Sequence, residues 1–205
     1  MNVIETERLI LRHLAVNDAE FILELLNDPS FLQHIGDRGV RTLADARHYI
    51  LQGPGASYEQ NGFGLYLVEL KVSQTPIGIC GLVKREGLAD VDIGYAFMPH
   101  FWSNGYAVES ASAVMTYGKE QLGLRRIVAI TAPDNIASIK VLEKIGLTFE
   151  RMTQLSDDSQ PVKLFSPPTP DLTRRSGGFS RNDDTRPGCS LDSPHIIPEH
   201  QLLEE

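Results

Sequence analysis

The chain has 205 residues, 41% hydrophobic and 22% charged, which suits one globular domain with something added rather than two full domains. Its net charge of -8 argues against a nucleic-acid partner, since phosphate binding needs clustered Lys and Arg, and is compatible with cationic substrates. Two distant cysteines, Cys80 and Cys189, suggest neither a disulfide framework nor a metal site, and Cys80 reads as a small buried apolar residue.

The opening Met1-Asn2-Val3-Ile4-Glu5 has no basic segment followed by an apolar one. No run approaches the ~20 apolar residues of a membrane span. No membrane association and a reducing, cytoplasmic setting are therefore expected. From the N-terminus, residues 8–12 look like a strand, followed by a helix that Asn17 or Asp18 caps, with Phe21, Ile22, Leu25 and Leu26 at helical spacing. A second helix begins after Thr42, with Asp45 completing a capping box, and Gly53-Pro54-Gly55 is expected to end it.

A meander follows, with strands at residues 64–71, 77–84 and 90–98 joined by connections short enough to imply antiparallel pairing. A long helix is expected over 105–122, a strand over 126–131, a helix over 136–145 and a strand pair at 147–152 and 162–165. The pattern is α/β, with a sheet that is antiparallel at first and then crossed over by one helix. From Ser166 onward the chain holds six of its twelve prolines, five serines and one aromatic residue, Phe179. Residues 1–165 are thus the expected folded domain, and residues 166–205 read as a disordered or loosely docked tail.

The segment from Phe101 to Ser112 is a loop followed by a helix start, which leaves backbone N–H groups unpaired at the positive end of a helix dipole. A diphosphate needs several such donors and close backbone approach, which Gly105 and the small Ala107 allow. A tight turn without a ligand has the same local signature. The dinucleotide motif GxGxxG is excluded, because Ala107 and Ser110 stand where its second and third glycines belong.

Trp102-Ser103-Asn104-Gly105-Tyr106-Ala107 resembles the (Gln/Arg)-x-x-Gly-x-(Gly/Ala) signature of the GNAT N-acetyltransferase superfamily, with Trp102 in the first place as in its ribosomal-protein-acetylating branch. Thr6-Glu7-Arg8-Leu9-Ile10-Leu11-Arg12 is similar to that branch's first strand and Asp92-Ile93-Gly94-Tyr95 to its fourth. Asn135-Ile136-Ala137-Ser138, with Leu142 to Leu147, resembles its C-terminal cofactor motif. The resemblance spans residues ~5 to 165 and implies the acyl-CoA N-acyltransferase fold. That is a mixed, mostly antiparallel sheet flanked by helices, with splayed central strands, often helped by a bulge.

By that resemblance acetyl-CoA is the acetyl donor, with no metal, and the acceptor is a primary amine, either a protein N-terminus or a small molecule. Backbone amides of Ser103, Asn104, Gly105, Tyr106, Ala107 and Val108 would hold the diphosphate, and Phe97 and Met98 the pantetheine arm. Asn135 would contact the arm or its thioester end. A free N–H near Phe97 or Met98 would serve the developing oxyanion. Asp92, where the branch often carries Glu, is the candidate base, acting through water, and a solvated carboxylate is its structural alternative. Leu142 stands where many relatives place a proton-donating tyrosine, leaving Ser138 as the nearby hydroxyl or as a helix cap. Glu109 reads as structural, and His13 and His100 as surface or capping residues. Monomer and homodimer are both compatible, and so is a binding module that holds acetyl-CoA without turnover.

Overall fold

In the computed structural model, which describes residues 2–156 and 159–168, the chain opens on two strands, β1 (Asn2–Glu5) and β2 (Leu9–His13). Four helices follow, α1 (Ala19–Asn27), α2 (Pro29–His34), α3 (Leu43–Ile50) and α4 (Ala56–Asn61). Then come β3 (Leu65–Leu70), β4 (Pro76–Val83), β5 (Val91–Phe97), α5 (Tyr106–Glu120) and β6 (Ile127–Thr131). The described part closes with α6 (Ile136–Lys144), β7 (Thr148–Thr153) and β8 (Val162–Ser166).

The strands form one sheet in the order β1-β2-β3-β4-β5-β6-β8-β7. Every neighbouring pair is antiparallel except β5 and β6, which α5 connects as a crossover. This is the architecture that the resemblance implied. Helices cover both faces, and strand alternation divides the core between them. Tyr66 and Val68 face the α5 side with Leu9, Leu11 and Val114, whereas Leu67 faces α1 and α3 with Ile22, Leu25 and Ile50. A bulge opposite Val68 and Glu69 inserts Ile77 into β4, so Ile77 joins Cys80 and Leu82 on the α5 side while Ile79 lies on the other. Cys80 is fully buried, as expected.

Several local expectations needed correcting. Asp18 does not cap α1; its carboxylate accepts from the Ala15 N–H (2.7 Å) and binds Arg12. Thr42 and Asp45 do form the capping box of α3. Gly53-Pro54-Gly55 does not stop that helix: a π turn, Leu51–Gly55, carries it into α4. A π turn spares the N–H that Pro54 lacks, and a side chain at Gly55 would come within 3.0 Å of the Ile50 carbonyl. The real stop is Gly62, at φ 75°, whose N–H closes on the Tyr58 carbonyl. β1 and α2 had no clear sequence signal. Ser166 is buried in β8, so the folded part reaches past the expected boundary; the expected tail from residue 169 on, with Cys189, lies outside the described residues.

A part-buried ion cluster ties β2 to β3 and to the entry of α1. Arg12 donates to both oxygens of Asp18 and to Glu69, each at 2.8 Å. Arg12→Ala is expected to cost about 2–3 kcal/mol, because two part-buried carboxylates lose their shared counter-ion. Urea denaturation at neutral pH checks this, and a loss under about 0.5 kcal/mol would mean the cluster is worth no more than a surface pair.

Candidate active site

Ladder pairing between β5 and β6 covers only Val91 with Ile127 and Asp92 with Val128, after which the strands diverge. Asp92 sits at the fork. Its Oδ1 accepts the Ile130 N–H (3.2 Å), so a side chain substitutes for the lost ladder partner, and its Oδ2 accepts from Arg85 Nε. Only 1% of Asp92 is exposed, so it is not the solvated carboxylate considered above. Burial raises its pKa to about 6, against the opposing pull of Arg85.

The divergence opens a cavity of about 770 Å³ that reaches from α2 and α3 to the start of α5. The expected residues Asp92, Phe97, Ser103, Gly105, Tyr106, Ala107, Val108, Asn135 and Ser138 all line it. Met98 and Asn104 do not. Met98 donates its N–H to the Ile77 carbonyl (3.0 Å) and accepts from the Phe101 N–H (2.9 Å), so both of its backbone groups are spent. Asn104 builds the loop instead: its amide donates to the carbonyls of Phe101 and Trp102, and its own carbonyl accepts from Arg8.

Since the Met98 N–H points at β4, strand alternation turns the Phe97 N–H toward the open side. The Phe97 carbonyl on that side accepts from the Trp102 indole (2.7 Å). Trp102 therefore pins the strand end to the loop, which gives a physical role to the first position of the signature. Within the loop Ser103 (φ 64°) and Gly105 (φ 82°) are left-handed, and α5 has no side-chain cap. Glu109 makes the first intrahelical bond, to the Gly105 carbonyl, so the N–H groups of Tyr106, Ala107 and Val108 have no intrahelical partner. Three uncapped donors on the positive end of a 15-residue helix suit a diphosphate, and the free edge of β5 suits the amides of a pantetheine arm.

Glu109 holds this cradle from behind, in the structural role expected of it. It accepts from the Thr6 hydroxyl (2.6 Å), the Arg8 N–H (3.0 Å) and the Arg8 guanidinium (2.7 Å). Burial pulls its pKa upward, but these donors outweigh it and leave the group below its ordinary value. Arg8 also lies 4.6 Å over the Tyr106 ring.

Asn135 caps α6 by accepting the Ser138 N–H (3.0 Å), which assigns the capping role to Asn135 rather than Ser138. The Ser138 hydroxyl lies 2.9 Å from the hydroxyl of Tyr95, a residue that sequence reasoning quoted in a strand motif but gave no role. Burial raises the pKa of Tyr95, so it stays protonated at neutral pH. Asp92 and Tyr95 differ in strand parity: Asp92 shares that of Ala96, which packs with the α1 and α3 core, while Tyr95 packs with the α5 core. A carboxylate and a phenol thus flank the fork from opposite faces of the sheet. His13 is stacked 3.9 Å from Tyr58 and, with His100, lies away from the cavity; His34 lines it.

No cluster of His, Cys, Asp and Glu able to hold a metal occurs among the described residues, and no described helix is long and apolar enough to cross a membrane.

Comparison with known proteins matches residues 8–148 to the acetyltransferase (GNAT) domain family. The uncharacterized N-acetyltransferase YnaD of Bacillus subtilis is 32% identical over 147 residues, covering 72% of this chain and 83% of its own. A GNAT-family acetyltransferase from Bacillus anthracis superposes with a TM-score of 0.67 at 28% identity, covering 80% of this chain and 96% of that one. The ribosomal L7/L12 alpha-N-protein acetyltransferase RimL, solved with coenzyme A, shares the fold at a TM-score of 0.68 and 21% identity, covering 78% of this chain and 94% of that one. The divided sheet, the uncapped helix start and these likenesses agree: the chain belongs to the GNAT acetyltransferase family and is an acetyl-CoA-dependent N-acetyltransferase.

Proposed function

We propose that the protein transfers the acetyl group of acetyl-CoA directly to the nitrogen of a primary amine, without a covalent enzyme intermediate. The observation that carries this reading is the fork between β5 and β6, which opens onto the uncapped start of α5 and has Asp92 at its vertex. The cradle of Ser103, Gly105, Tyr106, Ala107 and Val108 binds the diphosphate, while the Phe97 N–H and Asn135 orient the arm. When bound, acetyl-CoA supplies the acetyl group as a thioester.

Each remaining task falls to a residue of this chain. The amine arrives as an ammonium without a lone pair, so Asp92 accepts a proton from it, through water, and passes that proton to solvent. The Phe97 N–H donates to the carbonyl oxygen as charge gathers there. Tyr95, hydrogen-bonded to Ser138, donates its proton to the sulfur as the carbon–sulfur bond breaks, and regains one as the new amide nitrogen loses its extra proton. Tyr95 thus occupies the chemical role left vacant by Leu142.

Tyr95→Phe is expected to lower kcat by about 10- to 100-fold with little change in acetyl-CoA affinity, and Ser138→Ala to cost less. Single-turnover thiol release checks this. A Tyr95→Phe rate equal to wild type would remove the phenol from the reaction.

A further inference from the structure

One end of the cavity lies beyond the fork, on the α1–α3 side of the sheet, where the acceptor amine of the reading above must enter. The charge there runs against the whole molecule. The chain carries -8, yet the charged residues at this end of the cavity are Arg38 and Arg85 against a single carboxylate, Asp92, while Lys140 and Lys144 of α6 add positive charge elsewhere in the lining. That carboxylate is already paired with Arg85. The general expectation that an acidic protein favours cationic substrates therefore fails locally.

Three donors at this end lack partners. Arg85 uses only its Nε on Asp92, and its terminal N–H groups make no hydrogen bond among the described residues. Arg38 joins no ion pair among the described residues, and the neighbouring acid Asp37 is committed to Arg41 and the Gly39 N–H. The Tyr49 hydroxyl also has no hydrogen-bond partner among the described residues, and both guanidinium groups act on it, opposing the upward pull of burial. Two guanidinium groups with no protein partner for their free N–H groups among the described residues thus flank one phenol at the mouth of the cavity, Arg38 exposed and Arg85 half-buried, with Phe31 and Ile35 beside them.

Resting on the acetyl-transfer reading, we infer that the acceptor is an anionic amine, whose carboxylate or phosphate is held by Arg38, Arg85 and Tyr49 while its nitrogen faces Asp92. A planar guanidinium presents paired N–H donors that match a carboxylate or phosphate, and such charge-assisted bonds are the strongest available to a side chain. A diamine would bring a second positive charge to the same groups and be repelled. The same field lowers the pKa of a bound ammonium and so helps Asp92 free the lone pair.

The test compares matched acceptors on the full chain. An L-amino acid is set against its C-terminal amide, an aminoalkyl phosphate against the corresponding aminoalcohol, and a diamine serves as the cationic control. Acids or phosphates are expected to exceed their neutral partners by roughly 10- to 100-fold in kcat/KM. The stronger member of the two pairs separates a carboxylate from a phosphate ligand. Arg38→Gln should narrow the ratio by about tenfold, and Arg38→Glu should reverse it in favour of the diamine, both with acetyl-CoA affinity retained. Equal kcat/KM within both pairs, or a ratio untouched by Arg38→Glu, would overturn the inference. If no amine of any charge is acetylated, acetyl transfer itself fails. Calorimetric binding of the same compounds to the CoA-loaded protein then decides alone: acids above amides supports the anion site, and equal affinities overturn it.

Discussion

Gly105→Glu is expected to weaken acetyl-CoA binding by at least about 100-fold while the protein remains folded. Three effects act together. Gly105 lies at φ 82°, a left-handed conformation that costs a residue with a side chain about 1–2 kcal/mol. Its absent Cβ would lie 3.4 Å from the Arg8 guanidinium, so a carboxylate there competes with Glu109 for the group that anchors the loop. Finally, a negative charge beside three uncapped N–H groups repels the diphosphate they would bind. Gly105→Ala isolates the backbone term and should cost only about 5- to 10-fold. Titration calorimetry gives both affinities, and far-UV circular dichroism confirms folding. A folded Gly105→Glu protein with wild-type affinity would mean the diphosphate sits elsewhere.

Asp92→Asn is expected to lower kcat by about 100- to 10,000-fold, the range of general-base catalysis. The sign of its pH dependence follows from burial. Asp92 is raised from the ordinary carboxylate range to about 6, so it holds its proton below that pH and becomes a competent base only above it. Wild-type kcat should therefore fall as pH drops through about 6. The variant should lose that limb and recover relative to wild type as pH rises past the amine's own pKa, where free amine no longer needs a base. A pH–rate profile of both proteins with one acceptor reads this directly. Identical profiles would leave Asp92 as the wedge that parts β5 from β6 and nothing more.

The sequence carried the cofactor half of the site further than the acceptor half, for a physical reason. Gly105 and the residues around it are contiguous, and a loop entering a helix imposes local demands that appear in the residue order itself. The role of Met98 was misjudged because strand parity, not proximity to the motif, decides which N–H faces the fork. Asp92 is recognisable as a strand carboxylate, but its burial depends on Arg85 and Ile130, which reach it only through the sheet. Tyr95 and Ser138 are 43 positions apart, and the local composition of neither suggests their contact. Arg38 and Tyr49 belong to segments that α1 and α3 carry against the sheet. Their convergence on Arg85 is a product of packing alone, and the net charge of the chain points the other way.

The central claim is acetyl transfer to an amine at the β5–β6 fork, and mass-balanced turnover tests it most directly. Purified full-length protein is incubated with acetyl-CoA and the acceptor panel, with thiol release and N-acetylated product measured together. The account predicts one acetylated amine for each thiol released, with both lost in Gly105→Glu. Tight acetyl-CoA binding with neither product on any amine would contradict it and leave a GNAT module that binds its ligand without catalysis.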